Sequence, residues 1–201
     1  NVQTWEEQIV VWDEGKNTCG NPCPVVDRKT GRILLFMTWN LGSDNERAII
    51  EKTGDSTRVP YMCYSDDDGQ SWSTPVSLLK TCKKPGWGWY ATGPGVGIQL
   101  KSSQYKNRLV IPCNNSCDAK GADGQDTFEY GCHVLLSDDG GENWRMSEII
   151  TPKVNESQVV ELTDGTLMMN MRSYHGKKCR AVAFSQDGGE TWSNVEHATS
   201  L

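Results

Sequence analysis

The chain has 201 residues, a formal net charge of −6, and 36% hydrophobic against 23% charged residues, the balance of a folded protein with a core. The negative charge argues against nucleic acid or an anionic membrane as partner, since both need a basic footprint. No apolar run approaches the roughly 18 residues that a membrane-spanning helix requires, so no transmembrane segment is expected.

The chain opens at Asn1 without a signal-peptide pattern. This reads as a cut or processed end, which leaves localisation unread from it; a secreted, periplasmic or lysosomal setting is favoured over a cytoplasmic one. Short strands then follow one another between Gly, Asp and Asn turns. Ile33–Trp39 reads as a buried strand, Val59–Tyr64 as an alternating one, and Leu109–Pro112, Cys132–Leu136, Leu167–Arg172 and Ala181–Phe184 as others. No segment carries a long helical apolar period. Twenty glycines and eight tryptophans suit tight turns and aromatic packing in an all-β protein.

A repeat orders these strands. Ser65-Asp66-Asp67-Asp68-Gly69-Gln70-Ser71-Trp72 returns as Ser137-Asp138-Asp139-Gly140-Gly141-Glu142-Asn143-Trp144. It returns again as Ser185-Gln186-Asp187-Gly188-Gly189-Glu190-Thr191-Trp192. The shared pattern is S-x-D-x-G-x-x-W, and Thr4-Trp5 matches the tail of a fourth copy. Each copy follows an apolar strand, so the unit is a hairpin with a chemically specified turn. The aspartate accepts turn N–H groups, the glycine takes positive φ, and the tryptophan folds back onto the sheet. Propeller blades take roughly 40–50 residues each, which gives about four blades. The wider gap between the first two copies suggests a polar insertion at Asn114 to Glu129.

Eight cysteines are present. The C-x3-C pairs Cys19/Cys23 and Cys113/Cys117 lack the clean spacing and nearby histidines of a zinc site, so no metal and no cofactor is expected. Asn114-Asn115-Ser116 and Asn155-Glu156-Ser157 match the N-glycosylation pattern, which arises often by chance.

The repeat is the aspartate box of sialidases and some other β-propellers. It argues fold rather than chemistry, so function must come from other segments. Asn21-Pro22-Cys23-Pro24, Tyr90-Ala91-Thr92-Gly93-Pro94-Gly95, Asn155 to Leu162 and Met169-Asn170-Met171-Arg172-Ser173 resemble segments of exo-α-sialidases, in the same order and over essentially the whole chain. The resemblance implies an all-β, six-bladed β-propeller of the sialidase type. Residues 1–201 would form a single partial catalytic domain. The implied activity is release of terminal α-linked sialic acid from glycans, glycoproteins or gangliosides. Such enzymes use a tyrosine nucleophile, an exception among glycosidases. By motif, Glu156 resembles the glutamate that polarises this tyrosine, and Arg172 resembles the second of three arginines that hold the substrate carboxylate. Asn21, Glu46 and Asn114 fall at positions that line the sugar pocket.

The register of one hairpin supports the first pair independently. Thr163-Asp164-Gly165 suits a three-residue loop, and Leu162 opposite Thr166 would set Glu156 directly opposite Arg172. An ordinary cross-strand ion pair is the alternative reading. Tyr90 reads as a core residue, Trp87 and Trp89 as core residues or an aromatic sugar platform, and His133 as a satisfied structural histidine. The family's first arginine segment and its acid/base aspartate are not found here. The third arginine and the nucleophilic tyrosine are expected beyond Leu201. A non-catalytic aspartate-box scaffold that binds glycans or proteins is the competing class; it would not need Glu156 and Arg172 at one hairpin end. A trans-sialidase remains open within the enzyme class.

Overall fold

The computed structural model describes Thr4 and residues 7–102 and 104–199. Trp5, half of the fourth box tail, lies outside the described residues. The chain is nearly all β. The first sheet joins β1 (Thr18–Val26), β2 (Ile33–Asn40), β3 (Val59–Ser65) and β4 (Val76–Ser77) in chain order, each pair antiparallel. Two short helices, α1 (Glu46–Glu51) and α2 (Leu79–Cys82), flank it. In the second sheet, β5 (Tyr90–Thr92) and β6 (Ile98–Gln99) both pair with β7 (Leu109–Lys120), which pairs with β8 (Asp126–Ser137) and then β9 (Arg145–Met146). The third sheet runs β10 (Val154–Glu161), β11 (Leu167–Ser173), β12 (Arg180–Ser185) and β13 (Glu196–Ala198).

Among the described residues these are three successive blades, where division by blade length suggests about four. The difference has two sources. Connections such as the one carrying α2 lengthen the chain between the first two boxes. The expected insertion is also no loose loop: Ser116 to Lys120 pair residue by residue with Tyr130 to Asp126, extending β7 and β8 into a long hairpin.

Alternation along β7 explains why the blades stack. Leu109, Ile111 and Cys113 point into one core with Cys23, Val25, Leu34 and Phe36 of the first sheet. Val110 points into a second core with Val159, Leu167, Met169 and Met171 of the third. A strand buried on both faces reads as a continuous apolar run, as Leu109-Val110-Ile111 does. No helix of the described residues is long and apolar enough to cross a membrane.

The boxes close the hairpins between the last two strands of each sheet as expected. In the second copy Ser137 Oγ donates to Asp139 Oδ1 at 2.8 Å, and the same carboxylate oxygen accepts from Asn143 N at 3.0 Å. Gly141 sits at φ 97° and accepts from Trp144 Nε1 at 2.9 Å. Trp144 meets Phe36 edge-on at 4.8 Å, which ties the second sheet to the first. The other two copies repeat the Ser–Asp and Asp–backbone bonds.

All eight cysteines are free thiols. Burial pushes Cys23, Cys82 and Cys132 up to about 12, so they pack as small apolar groups. Asn114 and Asn155 are both buried, so neither glycosylation pattern marks an accessible acceptor.

Candidate active site

The first strand of each sheet is irregular, and the irregularities coincide with the sequence candidates. In β1 the pairing to β2 slips between Gly20 and Cys23, and Asn21 stands in the slip at φ 52°. Between β5 and β6 the chain leaves the ladder over Gly93 to Gly97. In β10 the pairing slips between Asn155 and Ser157, leaving Glu156 as an extra, unpaired residue. A bulge of this kind turns a side chain out of the regular alternation and is common next to active sites.

The third slip corrects the simple register. The hairpin loop forms as expected: Gly165 takes φ 87°, Leu162 N donates to Thr166 O at 2.8 Å, and pairing stays in step to Ser157 opposite Met171. Beyond that point Asn155, not Glu156, lies opposite Arg172. The two charged side chains meet all the same, with Arg172 Nη1 donating to Glu156 Oε2 at 3.1 Å. Both are well exposed. The bond to Glu156 raises the affinity of Arg172 for its proton. The backbone of the bulge is held from behind by Arg180, whose Nη2 donates to Glu156 O at 3.3 Å while its Nε donates to Asn170 Oδ1 at 2.6 Å. Ser157 N donates to Gly93 O, which joins the irregular strand of the third sheet to that of the second.

Asn21 has a partner that sequence reasoning did not find. Arg58, only 5% exposed, donates to Asn21 Oδ1 at 2.5 Å, to Asn40 Oδ1 at 2.6 Å and to Thr38 Oγ1 at 3.1 Å. Its guanidinium also lies over the Trp89 ring at 4.2 Å. All of these partners are neutral. Burial lowers Arg58 to about 10, opposed by the charge of Glu46. Trp89 is therefore the bed of a buried cation, whereas Trp87 joins the core. Arg58 precedes an apolar strand with no motif around it, and nothing local in the sequence marks it as buried.

Glu46, in the first turn of α1, acts electrostatically on Arg58, Arg172 and the phenol of Tyr130. It thus lies within range of both the Asn21 and the Glu156 groups. Asn114 is not brought to the surface with them. It is fully buried, and neither end of its amide has a hydrogen-bond partner among the described residues. Tyr90 is buried, and its hydroxyl lies 3.1 Å from Nε2 of His133, whose Nδ1 lies 3.1 Å from Asn115 Oδ1; both are satisfied core groups. Among the described residues no three metal-ligating side chains converge.

The boxes lie at the other end of the sheets. Ser185, which opens the third box, pairs with Leu167, at the loop end of the hairpin whose open end carries Arg172 and Glu156. Likewise Ser137 pairs with Leu109, five residues along β7 from Asn114.

Fold and site together define blades of an aspartate-box β-propeller, with an arginine–carboxylate group at the end away from the boxes. The whole chain, residues 1–201, matches the model of the BNR repeat-like domain, and it belongs to that family. A Bacteroides fragilis protein named sialidase is 33% identical over 190 residues, 92% of this chain and 32% of that protein. An exo-alpha-sialidase of Aspergillus fumigatus is 38% identical over 180 residues, 84% of this chain and 39% of that protein. Among solved structures, the Hadza microbial sialidase Hz136 aligns with a TM-score of 0.77 and 30% identity, covering 96% of this chain and 37% of that one. The chain therefore spans about a third to two fifths of the length of these relatives.

Proposed function

We propose that residues 1–201 are part of one catalytic propeller domain of an exo-α-sialidase. It releases terminal α-linked sialic acid from glycans, glycoproteins or gangliosides, with retention. The observation that carries this reading is the Glu156–Arg172 pair at a bulged hairpin end, within electrostatic range of Glu46. A guanidinium offers five N–H donors in a planar fork, and Glu156 occupies one edge of Arg172. The rest of that fork suits the carboxylate of a sialoside. Glu156, as an acceptor turned out of the sheet, suits the removal of a proton from a phenol. The substrate is anionic, so a phenol polarised by this glutamate avoids the repulsion a carboxylate nucleophile would meet. In the double displacement this implies, the phenol oxygen bonds the anomeric carbon as the glycosidic bond breaks and an acid protonates the leaving oxygen. Water then displaces the phenol. The nucleophile and the acid are assigned to polypeptide outside these residues.

The test is hydrolysis of a fluorogenic 2-α-sialoside by the full-length protein carrying these residues, with the first anomer released followed by proton NMR. The α-anomer is expected first. Absence of release, or the β-anomer first, would overturn the reading; glycan binding without turnover would favour a scaffold.

A further inference from the structure

Lysines gather at the C-terminal end of α1. A cavity of about 640 Å³ opens there between the helix end, the turn at Gly54 to Thr57, and α2 with the chain that follows it to Trp87. Four ammonium-bearing side chains line it: Lys52, Lys80, Lys83 and Lys84. Lys52, Lys80 and Lys84 are exposed, whereas Lys83 is only 6% exposed. This concentration of positive charge stands in a chain whose formal net charge is −6.

Lys83 is the charge that lacks an opposite. Its ammonium donates to Arg58 O at 2.7 Å, to Gly88 O at 2.6 Å and to Thr57 Oγ1. An ammonium has three donors, so all of them go to neutral oxygens. Burial first, then the charges of Arg58 and Lys52, push Lys83 down to about 7. A buried cation among neutral groups and other cations gains from a negative charge brought beside it. The neighbouring carboxylates do not supply one. Asp118 pairs with Lys52, and Asp44 accepts from the backbone N–H groups of Asp55 and Ser56. Among the described residues Asp55 is the one carboxylate of the lining, and it is exposed.

The rest of the wall is largely apolar. Ile49, Leu79, Pro85 and Trp87 contribute to it, and the Trp87 ring centre lies 5.9 Å from Lys84 Nζ. The space is far larger than a bare inorganic anion needs and falls in the roughly 300–1,000 Å³ range of small-molecule sites.

We propose that this cavity binds a phosphate monoester whose organic body presents an apolar face. Lys80 and Lys84 would donate to the phosphate oxygens, with the charge of Lys83 behind them and the body against the apolar wall. A phosphate monoester concentrates about −1.5 to −2 charges on three oxygens at neutral pH. Lysine takes such a group as a point charge and needs no fixed fork. A single carboxylate brings less charge, and a free inorganic ion leaves the apolar wall uncovered. The inference goes beyond the sialidase reading and is independent of it, since neither ligand nor readout involves Glu156 or Arg172.

Phenyl phosphate, phenyl sulfate, inorganic phosphate and phenol are titrated into the full-length protein by calorimetry. Phenyl phosphate is expected to bind about fivefold or more tighter than phenyl sulfate, which carries one charge, and than inorganic phosphate, which has no body. Phenol should show no binding. The Lys80→Ala/Lys84→Ala double variant should bind phenyl phosphate about tenfold weaker, the scale of two exposed ion pairs. Lys120→Ala/Lys177→Ala removes the same charge from exposed positions outside the cavity and should stay within about twofold. In the wild type, phenyl phosphate should slow acetylation of Lys80 and Lys84 by an amine-reactive reagent, followed by mass spectrometry, and leave Lys120 and Lys177 unchanged. Phenyl sulfate binding as tightly would remove the case for a dianion, and inorganic phosphate binding as tightly would remove the case for an ester. Equal losses in the two double variants, or uniform protection of all four lysines, would reduce the effect to a diffuse surface field. Any of these results, or no binding of phenyl phosphate, would overturn the proposal.

Discussion

Glu156 is the extra residue of a β-bulge, yet its carboxylate accepts a hydrogen bond from the guanidinium of Arg172, 3.1 Å away. The regular ladder would have set the two side by side on the pleat. The bulge turns Glu156 out of the alternation, and Arg180 braces its carbonyl. Both charged side chains are about half exposed, and such pairs contribute only about 0–1 kcal/mol to stability. Glu156→Gln and Arg172→Ala should therefore leave urea unfolding within about 1 kcal/mol of wild type. Hydrolysis by the full-length protein should fall by about 100-fold or more, the scale of losing a proton acceptor or a substrate clamp. Unfolding midpoints that fall along with activity would mark the pair as merely structural.

Arg58 should behave in the opposite way. It is a buried cation whose fork reaches three neutral side-chain oxygens and rests on an indole. Lysine keeps the charge but cannot reproduce the fork. Arg58→Lys is expected to cost about 2–4 kcal/mol, because Asn21, Asn40 and Thr38 lose their shared donor in a dry site. Amide exchange should speed up around Asn21, whose φ of 52° is held in place partly by this contact. Chemical denaturation reads the first effect and hydrogen exchange the second. A cost under about 1 kcal/mol would mean that water already reaches the guanidinium.

How far the sequence reaches can be judged from these two arginines. Arg172 is legible because the Thr163-Asp164-Gly165 loop sets a register and a family-like segment surrounds it. The boxes are legible for a similar reason: a serine, an aspartate, a glycine and a tryptophan at fixed spacing specify their own bonds within one turn. Arg58 is not legible, because its burial comes from Trp89 and Asn21, 31 and 37 residues away in the chain. The bulge at Glu156 is hidden as well. It depends on Arg180 of β12 and on the contact of Ser157 with Gly93 of the neighbouring sheet, and neither is local. The partial propeller is legible, but the sheets among the described residues number three rather than about four, because a polar stretch with no apolar alternation, Ser116 to Lys120, still pairs as a strand when a complementary one folds back on it.

Stability should fall on mild acidification, and His133 supplies the reason. Complete burial, aided by the charge of Lys84, holds it down at about 3. In the unfolded chain it titrates near 6.5. Between those values the unfolded state takes up a proton that the native state refuses. Stability is thus fully present above about pH 6.5 and is lost toward pH 3, by up to about 1.4 kcal/mol per pH unit. Asp67 and Asp139, held at about 2 mainly by turn hydrogen bonds, add a further loss only at lower pH, below the unfolded carboxylate value. Urea midpoints at pH 7.5, 6.0 and 4.5 measure the slope, and His133→Gln should flatten it while lowering the whole curve. An unchanged slope in that variant would assign the acid sensitivity elsewhere.

The boxes should matter for folding and not for ligand. A Cβ on Gly141 would stand 2.7 Å from Leu34 Cδ1, at a φ of 97° that side chains rarely adopt. Asp139→Ala removes three acceptor contacts of the turn. Each change is expected to cost about 1–3 kcal/mol. Sialoside affinity at permissive temperature should stay within about twofold of wild type, since distant sites add independently. Thermal melts and calorimetric titration separate the two readouts. A box variant that stays folded but loses ligand would contradict the placement of the site at the opposite end.

The last expectation concerns the 201 residues by themselves. They correspond to 32% of the Bacteroides fragilis relative and 39% of the Aspergillus fumigatus one. The resemblance assigns the nucleophilic tyrosine, the acid/base aspartate and two arginines to polypeptide they do not contain. Members of a catalytic unit act together, so losing several removes most of the rate. The third sheet also lacks a neighbour among the described residues on the face of Met168 and Phe184, which remain half-buried, and such a face favours association. The isolated chain is therefore expected to release no measurable fluorophore from a 2-α-sialoside under conditions where the full-length protein turns over. It should also elute from size exclusion larger than a 22.4 kDa monomer. Robust turnover by the purified 201 residues would show that the nucleophile lies among them, with Tyr174, beneath Arg172, the first residue to test by Tyr174→Phe.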